Sequence, residues 1–437
     1  MTTRSTTKKN QDPQLVIDSP DAFQVSREVF VSEDILRRER QEIFDRCWTY
    51  VGHESELANP GDFIARNVAG RPVIFAKGRG GNVKVLLNSC RHRGAKVCRA
   101  ARGNSRIFTC FYHGWSYDNT GALVAVPDAE AYGPDHDRSS LGLVEPAKVE
   151  SYRGFYFATF DADSSSLHEY LADARYLLDL VVDQSPDGLE VLPSEHHYSM
   201  RANWKLLMEN TVDDYHGPVH QTYFEMAENV GASMPAGWAA SRSTQAVDLG
   251  NGHAVASGLG FLTPFITDSV RMEAERCYLD ASDRYGEHYA SDMLKRQRNM
   301  NIFPNLSIVD LLFGIQIRTI YPIAPDHTVI TGWQFIPKGL SDDMRRYRLE
   351  NARAFWGPAG MATPDDVEAL EQCQDGYKTT QEVAYNDVSR GLRGEGRTGE
   401  LVLRVFWRRW NELVAGTQGR PEGDRWDASS YPVRGND

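Results

Sequence analysis

The chain has 437 residues, of which 41% are hydrophobic and 25% are charged. This balance is typical of a globular protein with one large or two ordinary domains, and it excludes a largely disordered chain. Acidic residues outnumber basic ones by 60 to 48, which gives a formal net charge of -12. A nucleic-acid partner is therefore not expected, because binding to a phosphate backbone depends on clustered Lys and Arg.

The N-terminus and the cysteines indicate the compartment. The first ten residues are polar and lack the apolar core of a secretory signal. No run reaches the roughly 18 to 20 apolar residues that a membrane helix needs. Six cysteines are too few for a disulfide scaffold and are typical of a reducing environment. We therefore expect a cytoplasmic protein that does not enter a membrane.

The first part of the chain has one helical segment followed by short strands. Residues 24–46 contain an amphipathic helix whose start signal is Ser32 and whose apolar face is Ile35, Leu36, Ile43 and Phe44. From Cys47 to about Asp161, short apolar runs alternate with Gly, Pro, Asn and Asp, which predicts a small antiparallel β domain. The glycine-rich stretch 78–82 predicts a hairpin turn. It lacks the third glycine of a dinucleotide-binding loop, so no NAD or flavin module is visible.

The second part of the chain alternates helical and strand patterns. A helical period returns over 167–181, and later segments have the composition of strands or the apolar spacing of helices. The predicted strands are 195–200, 306–309, 314–321 and 327–335, and the predicted helices are 341–356, 365–375 and 400–413. We predict an α+β unit with a sheet and flanking helices.

Two short motifs in the β part each pair one cysteine with one histidine. Cys90-Arg-His92 is followed, after seventeen residues, by Cys110-Phe-Tyr-His113, and a glycine follows each motif closely. Such a quartet can hold one tetrahedral zinc or a [2Fe–2S] cluster with two cysteines on one iron and two histidines on the other. Structural zinc pairs usually lie two to four residues apart, so the one-residue gap favours the cluster. Cys98 falls outside the quartet and is predicted to be a packed thiol.

These loops resemble the two ligand loops of a Rieske domain. The resemblance implies that Cys90, His92, Cys110 and His113 bind a [2Fe–2S] cluster. A structural zinc clip and a chance pattern are the alternatives, and they predict no redox chemistry.

A second constellation follows a predicted helix that begins near Asn203. His216 and His220 are four residues apart, and Gly217-Pro218 breaks the helix between them, so the pair is predicted to straddle a turn. Two imidazoles plus one carboxylate, with open coordination positions, form the arrangement by which non-haem Fe(II) binds O2. A pair of surface histidines without metal is the alternative.

The stretch from Asn210 to His220 is similar to the N-x-x-D-x-x-H segment in large subunits of Rieske non-haem iron ring-hydroxylating oxygenases. The resemblance implies that His216 and His220 bind the mononuclear iron, although many members have four residues between the histidines and this chain has three. It also implies that Asp213 hydrogen-bonds a Rieske histidine of the neighbouring subunit, so that electrons cross a subunit interface. Asn210 and Tyr215 are expected to line or support the site.

The third iron ligand implied by the resemblance is an aspartate far downstream. Asp365 and Asp366 follow Pro364 at a predicted helix start, where carboxylates are also favoured simply as caps. Matching the paired aspartates of the family assigns Asp366, rather than Asp365, as the ligand.

The resemblance runs from about residue 25 to about residue 415. It implies a small all-β Rieske domain over 47–161 and a catalytic domain formed by 1–46 and 162–437. The catalytic domain is expected to have a helix-grip-like fold, with an antiparallel sheet and flanking helices.

The implied activity is that of the terminal oxygenase in a multicomponent dioxygenase. Both atoms of O2 would be added to an aromatic ring to give a cis-dihydrodiol, with electrons from NADH through a reductase and a ferredoxin. The resemblance favours a substituted benzoate such as p-cumate. The alternatives are a dioxygenase of polycyclic or biphenyl-type hydrocarbons, a Rieske monooxygenase or demethylase, and a Rieske electron carrier without enzyme activity. An α3β3 assembly with a small β subunit, or else an α3 trimer, is expected.

The pocket that holds the substrate is the least defined part of the prediction. Arg318 is a candidate for binding a carboxylate, although an arginine in that strand also looks structural. The remaining candidate lining residues, most of which could equally be core, are Asn210, Val219, Phe224, Phe261, Leu262, Phe303, Leu312 and Met361.

Overall fold

A computed structural model of the protein describes residues 14–133, 137–213, 215–229, 245–260, 266–357, 360–393 and 399–416. The strands are β1 (Val16–Asp18), β2 (Phe23–Ser26), β3 (Thr49–His53), β4 (Asp62–Val68), β5 (Arg71–Lys77), β6 (Val83–Leu87), β7 (Arg102–Asn104), β8 (Ile107–Thr109), β9 (Ser116–Asp118), β10 (Leu123–Ala125), β11 (Lys148–Tyr152), β12 (Phe155–Thr159), β13 (Leu189–Met200), β14 (Gln245–Asp248), β15 (Ala254–Leu259), β16 (Arg296–Ile302), β17 (Leu306–Leu311), β18 (Gly314–Ala324), β19 (His327–Pro337) and β20 (Tyr385–Asp387). The helices are α1 (Glu33–Glu39), α2 (Leu167–Leu171), α3 (Ala174–Val182), α4 (Trp204–Val212), α5 (Gln221–Asn229), α6 (Asp268–Tyr285), α7 (Glu287–Lys295), α8 (Asp342–Trp356), α9 (Ala362–Gly376) and α10 (Leu401–Ala415).

Strands β3 to β12 form a small antiparallel unit, here called the β unit. Within the described residues they pair in three sheets, in the orders β6-β5-β4-β7, β10-β9-β8 and β11-β12-β3. The turn at 78–82 joins β5 to β6, as its glycines predicted. The predicted small antiparallel β domain is therefore confirmed.

The rest of the described chain builds a large antiparallel sheet with helices packed against it, and a small sheet in the order β1-β2-β20. The strand order of the large sheet among the described residues is β13-β19-β18-β17-β16-β15-β14. Strand β17 is entirely buried, and so is most of β18, in which isoleucine recurs; this burial is expected where a sheet is covered by other elements. Helices α4 and α8 both contact β18. The α+β class is confirmed.

Helix boundaries differ from the predictions where local signals were incomplete. Ser32 caps α1 by accepting a hydrogen bond from the Ile35 N–H at 3.3 Å, as predicted, but residues 23–26 form strand β2 instead. The predicted helix over 167–181 is interrupted at Ala172, whose φ of 44° breaks it into α2 and α3. Helix α9 begins at Ala362, three residues before the predicted start at Asp365.

A buried ion pair anchors α4 between the N-terminal and C-terminal helices. Lys205 Nζ lies 2.6 Å from Glu39 Oε1, and both side chains are fully buried. The same carboxylate accepts hydrogen bonds from the indoles of Trp204 and Trp410, each at 2.8 Å. A buried charge needs such partners, because an unpaired ion in the interior would strongly destabilise the fold. The pair thereby fixes the position of α4, which leads into the site described below.

The described α-helices vary in length from five to eighteen residues. None of them combines the length and the apolar character that crossing a bilayer requires.

Candidate active site

The two Cys-His motifs of the β unit form loops of the same construction. The Gly94 N–H donates to the Cys90 carbonyl at 2.8 Å, and the Gly114 N–H donates to the Cys110 carbonyl at 3.0 Å. Both glycines have positive φ, 77° and 73°, which side chains disfavour and glycine permits. Each loop therefore turns tightly after its cysteine.

The loops bring the predicted cluster residues together with the histidines on the outside. The rings of His92 and His113 are adjacent, with centroids 4.5 Å apart. Cys90 and Cys110 are 4% and 2% exposed and belong to one apolar core of the β unit. Two buried thiols and a pair of adjacent imidazoles fit a [2Fe–2S] cluster in which the cysteines bind one iron and the histidines bind the other.

A tyrosine that the sequence reasoning missed contacts this site. The Tyr117 hydroxyl accepts a hydrogen bond from the Arg91 N–H at 3.0 Å and lies 3.3 Å from Cys90 Sγ. Burial raises the pKa of Tyr117, which keeps the hydroxyl protonated. The proton is thus available to the Cys90 sulfur. The sequence signal was the position of Tyr117, only four residues after His113.

The second site lies where α4 ends and α9 begins. His216 directly precedes a short 3-10 turn, Gly217–His220, and His220 ends it. Pro218 lies in its first turn, as the sequence break predicted. Among the described residues, His216, His220 and Asp366 are the group whose ligand atoms all lie within 4.8 Å of one another. Asp366 Oδ1 is 3.7 Å from His216 Nε2 and 3.4 Å from His220 Nε2. Two imidazole nitrogens and one carboxylate oxygen converging in this way could hold a ferrous ion.

The neighbouring residues orient this trio. Asn210 Nδ2 donates to Asp366 Oδ1 at 3.1 Å, which joins α4 to α9. Asp213 Oδ2 lies 3.8 Å from His216 Nδ1, and Asp365 Oδ2 lies 3.5 Å from His220 Nδ1. Of the two paired aspartates, Asp366 therefore joins the trio and Asp365 lies behind one of its rings.

The Tyr215 side chain contacts residues outside the trio. Its hydroxyl donates to Glu400, which is 8% exposed and directly precedes α10. The guanidinium of Arg390 lies over the Tyr215 ring, 4.3 Å from the centroid. These contacts support the turn that carries His216.

The structure places one of the predicted pocket residues in the main core. Phe303 is fully buried in the main core, and its N–H donates to His253, so it belongs to the core. Phe261 and Leu262 lie outside the described residues. An aromatic side chain that the prediction missed is Phe355 of α8, whose ring centroid is 5.8 Å from that of His220.

Comparison with known families shows which family the chain belongs to. Residues 47–152 match the Rieske [2Fe-2S] domain, and residues 190–416 match the ring hydroxylating alpha subunit (catalytic domain). The chain belongs to the Rieske ring-hydroxylating oxygenases. The resemblance drawn from the motifs is thus confirmed. As a Rieske ring-hydroxylating oxygenase it is an oxidoreductase, with a [2Fe–2S] cluster and a mononuclear non-haem iron as cofactors.

Several members of this family are similar over most of their length. The 2-halobenzoate 1,2-dioxygenase large subunit of Burkholderia cepacia is 34% identical, over 84% of this chain and 80% of that protein. The N,N-dimethyl phenylurea N-demethylase subunit alpha of Sphingobium sp. (strain YBL2) is 32% identical, over 87% and 89%. Among solved structures, a naphthalene 1,2-dioxygenase with indole in its active site superposes with a TM-score of 0.82 at 25% identity, over 93% of this chain and 95% of that one.

Proposed function

We propose that this terminal oxygenase adds both atoms of O2 to the ring of a substituted benzoate, such as p-cumate, to give a cis-dihydrodiol. The observation that carries the proposal is the convergence of His216, His220 and Asp366 in a chain that also holds the Cys-His loops. The reaction balances when NADH supplies two electrons and one proton and the medium supplies the second proton.

The proposed ligands follow from the geometry of both sites. Cys90, His92, Cys110 and His113 would hold the cluster. When bound, the cluster passes one electron at a time, and the ferrous ion provides a redox-active centre for O2 chemistry. His216, His220 and Asp366 would hold that iron, because their donor atoms converge and the outer nitrogens of both imidazoles are buried.

The surrounding residues of this chain orient the ligands. The amide of Asn210 holds the Asp366 carboxylate, so that its remaining lone pairs face the histidines. Asp213, behind His216, is proposed to reach a Rieske histidine of the neighbouring subunit and thereby join the two sites.

A polar row on the large sheet supports a polar aromatic substrate over a hydrocarbon. Strand register places Asn301, Ser307 and Arg318 side by side under α4, all of them buried. Arg318 Nη2 donates to Thr211 at 3.0 Å, while Arg318 Nε and Asn301 Oδ1 are buried without a hydrogen-bond partner. A buried donor left unpaired is costly, and a carboxylated substrate would offer Arg318 Nε an acceptor that naphthalene or biphenyl would not.

The proposed partners are a reductase and a ferredoxin that bring electrons from NADH, and further copies of this chain. An α3 trimer, or an α3β3 assembly with a small subunit, would place the cluster of one copy beside the iron of the next. In support, Phe111 and Tyr112 beside the His113 ligand are 64% and 51% exposed. Aromatic side chains this exposed are typical of a surface that another protein covers.

Product analysis with labelled O2 tests the reaction. The reconstituted enzyme should convert p-cumate to a diol carrying two labelled oxygens, with naphthalene and biphenyl as poor substrates. A product with one labelled oxygen would contradict dioxygenation. It would favour a monooxygenase or demethylase, the candidate supported by the similar phenylurea N-demethylase, and N,N-dimethyl phenylurea would be assayed beside the benzoates.

Metal analysis with variants tests the ligands. Anaerobically purified protein should contain about three irons and two acid-labile sulfides per chain. His216→Ala and Asp366→Ala should each lose about one iron and all turnover while the Rieske absorption spectrum stays intact. Cys110→Ala should lose that spectrum. A fully active His216→Ala enzyme, or one zinc without sulfide, would overturn the assignment.

A further inference from the structure

Two adjacent aspartates lie against opposite nitrogens of one imidazole. Asp366 Oδ1 is 3.4 Å from His220 Nε2, and Asp365 Oδ2 is 3.5 Å from His220 Nδ1. The two nitrogens lie on opposite edges of the ring, so only one of the carboxylates can share a metal ion with this histidine. The other carboxylate faces the edge that a ligand histidine uses for a supporting hydrogen bond.

Both atoms of the outer pair are buried and lack a hydrogen bond. His220 Nδ1 and Asp365 Oδ2 each have no partner, and the His220 side chain is 6% exposed. Native structures rarely leave such groups unpaired, because each would lose its contact with water without replacement. A movement of about 0.5 Å would bring the two atoms to the usual N–H···O distance.

Capping of the helix does not account for Asp365. The N-cap of α9 is Met361, and no side chain makes a capping hydrogen bond at this end. A capping carboxylate would face the free N–H groups of the helix. Asp365 instead directs a side-chain oxygen inward, to His220. Its side chain is 32% exposed overall, although Oδ2 itself is buried.

We infer that Asp365 is a positioning residue for the iron site: it accepts a hydrogen bond from His220 Nδ1–H and so keeps the Nε2 lone pair directed at the metal. The inference rests on the proposed iron ligands. Fixing the tautomer of a ligand histidine and raising its basicity strengthens metal binding, typically by ~10–100-fold. Asp213 stands in the same relation to His216, at 3.8 Å from Nδ1, but it has the further proposed role of joining the two sites. No such second role is proposed for Asp365, so replacing it should change only the binding of Fe(II).

Anaerobic Fe(II) titration tests this positioning role. Protein depleted of the mononuclear iron but retaining its Rieske spectrum would be titrated against a chelator that competes for Fe(II). Asp365→Asn and Asp365→Ala should weaken Fe(II) binding by ~10–100-fold, with the Rieske spectrum and thermal stability unchanged. Saturating Fe(II) should restore most of the activity. The matched control is Glu368→Gln, which removes one carboxylate from the exposed side of the same helix and should bind Fe(II) like the wild type.

The other outcomes separate this inference from the iron site itself. Wild-type Fe(II) affinity in both Asp365 variants, together with loss of binding in His216→Ala and Asp366→Ala, would overturn the positioning role alone. Retained binding in His216→Ala and Asp366→Ala would overturn the proposed ligands. Complete loss of binding in the Asp365 variants, with only weakened binding in Asp366→Ala, would exchange the roles of the two aspartates and also refute the inference.

Discussion

Asn210 Nδ2 donates a hydrogen bond to Asp366 Oδ1 at 3.1 Å, across 156 positions of sequence. The bond joins the last turn of α4 to the N-terminal part of α9. His216 and His220 lie just after α4, and Asp366 lies on α9. A carboxylate that contacts both histidines through one oxygen needs a fixed rotamer, and the amide supplies that constraint. Asn210 is thus part of the site although it is not one of the proposed iron ligands.

Asn210→Ala should impair the site without emptying the Rieske cluster. Loss of the amide frees the Asp366 side chain to rotate, so we expect Fe(II) affinity and kcat/KM to fall by ~10-fold or more. Iron titration and steady-state assays would measure both, with Gln372→Ala on the exposed face of α9 as the control. Unchanged values in Asn210→Ala would show that the hydrogen bond is dispensable.

Asp213→Asn should slow electron transfer while both metal sites remain filled. The neutral amide keeps the shape of the side chain but loses the charge that lies 3.8 Å from His216 Nδ1. We expect reoxidation of the reduced cluster by O2 and substrate, followed by stopped-flow absorbance, to slow by ~10–100-fold. The control is Glu225→Gln, an exposed carboxylate on the following helix. Reoxidation at the wild-type rate would argue against Asp213 as the link between the sites.

Tyr117→Phe should lower the reduction potential of the Rieske cluster. The reduced cluster carries more negative charge on its sulfurs, so a hydroxyl donating to Cys90 stabilises it more than the oxidised form. We expect loss of this hydrogen bond to destabilise the reduced cluster relative to the oxidised one by about 1 kcal/mol. For a one-electron couple, this lowers the reduction potential by about 40 mV. A redox titration followed by absorbance would measure the shift. Tyr156→Phe, which alters a tyrosine packed on Phe75 in a different core of the β unit, should leave the potential unchanged.

His253 should make the fold less stable in mild acid. Its Nδ1 accepts from the Phe303 N–H at 2.9 Å and its Nε2 donates to the Tyr170 carbonyl at 2.7 Å, so the folded state holds a neutral ring. Burial lowers the pKa of His253 from 6.5 to about 4. The unfolded chain therefore takes up this proton first, and stability is lost as the pH falls below about 6.5 toward 4.

Urea unfolding at two pH values would measure this contribution. Between about pH 7 and about pH 5.5, His253 should account for a loss of about 1 kcal/mol in the free energy of unfolding. Burial also lowers the pKa of His53 to about 4, so the wild type should lose more than this in total. His253→Gln should be less stable at neutral pH but lose about 1 kcal/mol less on acidification. An equal pH dependence in both proteins would refute the assignment.

Much of the architecture followed from local pattern. The cysteine and histidine spacing with its glycines predicted the two β-unit loops, and the Gly217-Pro218 break predicted the turn between His216 and His220. Ser32 and Ser341 marked helix starts correctly, because a cap is a contact between residues two or three apart. Where a boundary was wrong, as at the start of α9, the local signal was ambiguous between a cap and an inward-facing carboxylate.

The sequence by itself therefore determined the fold class, the family and the residues of each short motif, since these depend on spacings of a few positions. Only the tertiary structure decided that Asp366 faces both histidines while Asp365 lies behind His220, and that Tyr117 contacts Cys90. It also decided that Tyr215 bonds Glu400 and that Phe355 lies beside His220. These relationships join residues up to 185 positions apart. They depend on how α4, α9, α10 and the sheet pack, and no local spacing encodes that packing.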